Sequence, residues 1–148
     1  MTSQISIKTQ FGWISAYEIN GKIFKIKFGK TKRQIKSRPL INFKENLIKF
    51  LNKKNKHLNA SYELRGSNIQ KKVWSELKKI KPGKTKSYGE IAKKYKMSPR
   101  QVGKICGQNK LVILIPCHRV IRTDGTLGGF SAPKGIRLKK NLLNFEKE

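Results

Sequence analysis

Three short stretches, Ser67-Asn68-Ile69-Gln70, Ser87-Tyr88-Gly89-Glu90 and Ser98-Pro99-Arg100-Gln101, share one pattern: serine, then glutamine or glutamate three residues later. In such a capping box the serine hydroxyl accepts from the backbone N–H three residues on. The longer side chain reaches back to the serine N–H, so two donors orphaned at a helix start are satisfied together. Apolar residues at helical spacing follow each box: Ile69, Val73, Leu77 and Ile80; then Ile91, Ala92 and Tyr95; then Val102, Ile105 and Cys106. Pro99 falls at the first helical position, where its fixed φ and missing N–H suit the helix. The second half of the chain is thus committed to helices. Only Lys96–Met97 separate the second from the third, which predicts a helix-turn-helix.

With Val102, Ile105 and Cys106 turned inward, the third helix presents Arg100, Gly103, Lys104 and Gly107 outward. That face is basic and almost without side-chain bulk. An ordinary α-helix is roughly 10–12 Å across, whereas a B-DNA minor groove is about 6 Å wide. A slim glycine face can approach such a groove closely. From the wheel alone, the same glycines could equally admit a second helix.

The first part reads as a small α/β unit. Phe11–Ile19 and Lys22–Phe28 are β-prone runs joined by Asn20-Gly21, a type I′ hairpin signal. Phe24, Ile26 and Phe28 are expected on one apolar face. Phe43–Leu51 carries Phe43, Leu47, Ile48 and Leu51 at helical spacing, and residues 52–60 read as a polar linker. The expected fold is a two-part α/β protein: a structural N-terminal unit with an antiparallel hairpin over residues 1–60, and a mostly helical domain with a helix-turn-helix over 61–148. Leu111–Ile115 is expected as a short buried strand, residues 123–135 as a loop, and Leu138, Leu142 and Phe145 as one face of a last helix.

Thirty-five Lys and Arg stand against 8 Asp and Glu, a formal charge of +27. Phosphates attract such a surface and release counterions when neutralised, so nucleic acid is the expected partner, with an anionic membrane surface as the rival. Two cysteines make no disulfide framework, which favours reducing, cytoplasmic surroundings. The N-terminal stretch has no secretory apolar core. The run Leu111–Pro116 is far too short to span a bilayer.

Chemistry concentrates where that run meets Pro116-Cys117-His118-Arg119. Zinc wants four clustered Cys or His ligands, and the chain holds only Cys106, Cys117, His57 and His118, with no C-x-x-C pair, so no metal is expected. Cys106, on the inner face of a helix, reads as core. Cys117 is either core or nucleophile. A free thiol is only about 3% thiolate at pH 7, but an adjacent histidine can serve as base and a carboxylate can orient it. Among the eight acids, Glu146 lies at the edge of an apolar helix face, which makes Cys117, His118 and Glu146 a candidate relay.

Ile115-Pro116-Cys117-His118-Arg119-Val120 resembles the active-site motif of the O6-alkylguanine-DNA alkyltransferases, also called methylated-DNA–protein-cysteine methyltransferases. Gln70-x-x-Val73-Trp74, Ser87-Tyr88-Gly89-Glu90-Ile91-Ala92, Val102-Gly103, Asn109, Phe130 and Leu142-Leu143…Glu146 follow in the family's order. The resemblance covers residues 63–146 and implies a suicide DNA-repair protein without cofactor. By it, Cys117 takes the alkyl group from O6-alkylguanine, with O4-alkylthymine left open, in one irreversible SN2 step. His118, acting through water and oriented by Glu146, takes the thiol proton; Tyr88 assists departure of the guanine; Asn109 ties the turn before the cysteine. Arg100 fills the stack vacated by a flipped nucleotide, a step that costs a few kcal/mol. Gln101, Gly103, Lys104 and Gly107 lie along the minor groove of double-stranded DNA, which turns the glycine face toward DNA. Val120, Phe130 and Ser131 join Tyr88 in the base pocket. A monomer that binds no membrane is implied. The family usually has tyrosine where Phe130 stands and a more glycine-rich stretch than Ser131-Ala132-Pro133.

Overall fold

The computed structural model describes residues 2–128 and 135–148, and they form two compact units. The first comprises residues 2–65 with Lys110–Leu114, the second Gly66–Asn109 with residues 115–128 and 135–148.

The first unit is built on a three-stranded antiparallel sheet in the order β1 (Ser3–Thr9), β2 (Gly12–Ile19) and β3 (Lys22–Phe28), backed by helix α1 (Arg38–Leu51). The turn between β2 and β3 has Asn20 at φ 52° and Gly21 at φ 83°. Positive φ at both central residues is what a type I′ turn requires. The Gly21 N–H donates to Glu18 Oε2 at 2.9 Å, which closes the turn. Ile5, Ile7, Ile14, Ala16, Ile23 and Ile26 meet Leu40, Phe43, Leu47 and Phe50 of α1 in the core. The expected face of Phe24, Ile26 and Phe28 is corrected. A register shift at Tyr17/Glu18 pairs Tyr17 with Lys25 and Glu18 with Ile23, so Ile23 and Ile26 are buried while Phe24 turns out. One extra residue in a pleat reverses the facing of everything beyond it.

Helix α1 begins five residues before the first apolar residue that marked it, with Pro39 in its first turn. Residues 52–60 stay with this unit: Leu58 is buried, and the Asn59 carbonyl accepts from Asn46 Nδ2. Residues 61–63 then run beside β3, where Ile23 N–H donates to the Ser61 carbonyl and Glu63 N–H to the Ile23 carbonyl, each at 2.9 Å.

The second unit holds α2 (Asn68–Lys78), α3 (Tyr88–Lys94), α4 (Pro99–Gly107) and α5 (Gly135–Lys147). A two-residue parallel pair joins β4 (Lys86–Ser87) to β5 (Val120–Ile121). All three capping boxes form with both reciprocal bonds, at Ser67/Gln70, Ser87/Glu90 and Ser98/Gln101. Val73, Trp74, Leu77, Ile91, Ala92, Val102 and Ile105 make the core, and Trp74 Nε1 donates to the Ile105 carbonyl at 3.0 Å. Ile69 departs from its expected place: it is 41% exposed. It lies in the first turn of α2, and Trp74 rather than Ile69 completes the buried face.

The expected strand at Leu111–Ile115 is not a strand. Leu111 makes one isolated bridge to Ile26, and the backbone then folds back. Leu114 N–H donates to the Val112 carbonyl at 2.8 Å around Ile113, whose φ is +68°. A three-residue turn at positive φ is rare, and for a β-branched residue it is strained. A second tight turn follows, with Pro116 at φ −81°, ψ 66° and Cys117 N–H donating to the Ile115 carbonyl at 2.8 Å. An apolar run of five predicts burial, which holds, but cannot specify extension. Among the described residues, no helix is long and apolar enough to cross a membrane.

Candidate active site

Cys117, His118 and Arg119 form one 3₁₀ turn, and all three are buried. The turn is held on its entry side by Asn109, whose Nδ2 donates to the Ile115 carbonyl at 2.7 Å. On its far side stands α5. Glu146 Oε1 lies 3.0 Å from His118 Nε2 and accepts from Arg119 Nε at 2.9 Å, while Oε2 accepts from Arg119 Nη2. Arg119 Nη1 donates to the Ile80 carbonyl at 2.6 Å, tying the segment just after α2 to the same carboxylate. The Glu146 side chain is only 2% exposed.

These positions set the protonation states. Burial alone would raise the Glu146 carboxyl, but the hydrogen-bonded Arg119 guanidinium and His118 hold it at about 2. Burial lowers the His118 imidazole below its usual range, against the pull of Glu146, so at neutral pH the ring is uncharged and able to accept a proton. With Nε2 directed at Glu146, the other ring nitrogen, Nδ1, is buried without a hydrogen bond among the described residues. Burial pushes the Cys117 thiol up, opposed by a hydrogen bond from Asn109 and by the charge of Lys139.

Lys139 is the residue that sequence reasoning missed. It lies on α5 and is fully buried, an arrangement rarely seen for lysine. Burial lowers its ammonium to about 8, while the thiols of Cys117 and Cys106 favour its charge. Its Nζ donates to the Tyr88 hydroxyl at 3.2 Å and lies 5.5 Å from the centre of that ring. Burial, with Cys106 and Cys117 nearby, pushes the Tyr88 phenol up to about 12, so Tyr88 keeps its proton. The signal available was Lys139 in the apolar row of the last helix, beside Leu138 and Leu142. Arg119 was within the quoted motif, but its partner was not legible from spacing.

A cavity of about 830 Å³ opens over the thiol, lined by Cys117, Tyr88, Arg100, Gly103, Gly107 and Arg122. Cys117 thus shares one space with the outward face of α4. Gly128, at φ +74°, fits against Tyr88: a Cβ there would lie 3.1 Å from its ring. A Cβ on Gly103 would meet only the Tyr88 ring at 3.9 Å, and one on Gly107 nothing within 4 Å. Among the described residues, no helix packs on these glycines. Lys104 is exposed, while Gln101 Oε1 accepts from the Ser98 N–H at 2.9 Å. Val120 is buried at the end of the turn. Phe130 and Ser131 lie outside the described residues. Among the described residues, no three His, Cys, Asp or Glu side chains cluster as a metal site would.

Fold and site together define a helix-turn-helix protein in which helix α4 and a buried cysteine, backed by a His-Glu pair, border one cavity. Residues 68–148, more than half of the chain, match the 6-O-methylguanine DNA methyltransferase DNA-binding domain, and the chain belongs to that family. It is 52% identical over 85 residues to the methylated-DNA–protein-cysteine methyltransferase of Methanocaldococcus vulcanius, covering 57% of this chain and 51% of that one. With the Sulfolobus acidocaldarius protein of the same name it shares 46% over 88 residues, 60% of this chain and 55% of that one. The chain thus spans about half the length of the curated relatives it matches. The crystal structure of Mycobacterium tuberculosis OGT in complex with DNA superposes with a TM-score of 0.86 at 28% identity, covering 97% of this chain and 92% of that one.

Proposed function

We propose that the protein repairs DNA by taking the alkyl group of O6-alkylguanine onto Cys117. The sulfur attacks the alkyl carbon, a C–S bond forms as the C–O bond breaks, and unmodified guanine leaves. The thiol proton passes through a water molecule to His118 Nδ1, and Glu146 stabilises the imidazolium on the opposite nitrogen. Tyr88, which holds its proton, donates toward the departing base, and Lys139 lends positive charge to the developing thiolate. The thioether is stable, so each molecule acts once.

The target carbon is out of reach inside a duplex, so the nucleotide must be extruded into the cavity over Cys117. Arg100, at the start of α4 and on the cavity rim, fills the vacated stack. The open glycine face of α4 supports minor-groove approach, with Lys104 directed to phosphates and Gln101 and Gly107 along the groove. Asn109 fixes the turn that presents the thiol, and the main chain at Val120 meets the flipped base. Two free thiols suit the reducing interior of a cell.

The observation that carries this reading is the Cys117 thiol on the same cavity as Arg100 and Tyr88, with the hydrogen-bonded His118–Glu146 pair next to it in the 3₁₀ turn. Incubation with a duplex containing O6-methylguanine should add one methyl mass to the peptide that holds Cys117. Cys117→Ala should still bind the duplex and gain nothing. Binding by the intact protein without a mass gain would leave a lesion-recognition module and sink the reading.

A further inference from the structure

The outer side of β2 and β3 in the first unit carries a set of aromatic rings and cations that the alkyl-transfer reading does not use. The Lys25 and Lys27 ammonium groups lie 5.4 and 5.7 Å from the Tyr17 ring centre. Phe24, turned outward by the register shift, stands 6.4 Å from Tyr17 and carries the Arg65 guanidinium at 4.3 Å. Trp13, 36% exposed, carries Lys30 at 4.8 Å. Four such cation–ring contacts, on three rings, fall in this one unit.

Its charge is not balanced from within. Residues 1–65 hold fifteen Lys and Arg against three acids, Glu18, Glu45 and Glu63. Glu18 is buried and serves the hairpin turn, and Glu63 is 3.6 Å from Arg65. Lys25, Lys27 and Lys30 therefore repel one another across a face that also exposes apolar rings. A ligand that relieves both features carries regular negative charge and flat apolar surfaces. Single-stranded nucleic acid supplies both, since unpaired bases stack on aromatic rings and phosphates pair with the flanking cations. In duplex DNA the base faces are already stacked.

We propose that this face is a second nucleic-acid surface, which binds single-stranded DNA through phosphates at Lys25, Lys27, Lys30 and Arg65 and through a base stacked on the exposed Trp13. Binding here needs neither Cys117 nor the cavity.

The test titrates the full chain with oligo(dT) of about twelve nucleotides, within the range of known single-strand sites, reading labelled-oligonucleotide anisotropy and tryptophan emission. Trp13 emission should be quenched by oligo(dT) and not by inorganic polyphosphate. The double variant Lys25→Glu/Lys27→Glu should lose at least tenfold in oligo(dT) affinity. Its salt slope should fall by about 1.4, the single-strand value for two phosphates. Methyl transfer from duplex should be unchanged. Trp13→Ala should abolish the quench and weaken oligo(dT) binding, an independent readout should the charge reversal disturb the sheet. Unaltered oligo(dT) affinity in both variants would overturn the proposal. So would equal losses for oligo(dT) and polyphosphate, or losses seen only on phosphatidylglycerol vesicles.

Discussion

Glu146→Gln removes one charge from a site where three hydrogen bonds converge. The carboxylate serves His118 Nε2 and two nitrogens of Arg119, in side chains that are 0% and 7% exposed. A glutamine of the same shape can still accept one bond, but it leaves the Arg119 cation buried with only the Ile80 carbonyl as full partner. Breaking a buried ion pair from one side costs about 3–5 kcal/mol. The titration gives the same scale: a carboxyl held at about 2 rather than 4.5 is worth about 3 kcal/mol at 1.36 kcal/mol per pH unit. Because the folded-state value is depressed, this stability is fully present above about pH 4.5. It is lost as pH falls toward 2. Urea unfolding followed by Trp74 emission in a Trp13→Phe background should show the variant about 3 kcal/mol weaker at pH 7, with the gap closing between pH 4.5 and 2. Methyl transfer should slow by about 10²–10⁴-fold, the usual share of a positioned acid–base group, while duplex affinity holds. A gap that persists unchanged at pH 2, or transfer at the wild-type rate, would refute the argument.

Other outcomes follow from the same geometry. Lys139→Met should raise the Cys117 thiol and slow transfer by about tenfold for each pH unit of that rise; the gap should narrow above about pH 8, where Lys139 loses its own proton, and a gap constant from pH 6 to 10 would remove Lys139 from the reaction. Arg100→Ala should impair transfer from duplex more than from free O6-methylguanine base, and equal losses on both would count against its place in the vacated stack. Glu76 is buried and gathers Lys94 at 2.9 Å, Tyr95 at 3.1 Å, Lys79 at 3.3 Å and Lys86 at 3.4 Å. Lys94 foremost holds its carboxyl at about 2. Glu76→Gln should lower the unfolding free energy by about 1–3 kcal/mol at pH 7 with little effect below pH 2, and calorimetry across that range checks it.

The parts that local chemistry dictates were legible in the sequence. Ser67, Ser87 and Ser98 cap helices because a hydroxyl, a backbone N–H and an N3 side chain meet within four residues, with no help from elsewhere in the fold. Asn20-Gly21 makes its turn because those two residues tolerate positive φ. The pattern also put Cys117, His118 and Glu146 in one hypothesis, although 28 residues separate His118 from Glu146. What the sequence could not show is whatever depends on partners far along the chain. Nothing local says that the apolar run after Lys110 leaves the helical unit to join the sheet, or that Ile113 must take a left-handed conformation to turn the chain toward Cys117. Only the closing of α5 against the 3₁₀ turn gives Glu146 a second partner in Arg119 and buries Lys139 beside the thiol and Tyr88. Periodicity reports that a residue is buried; which charge it is buried against is decided when the elements pack, and that choice sets the protonation of the site.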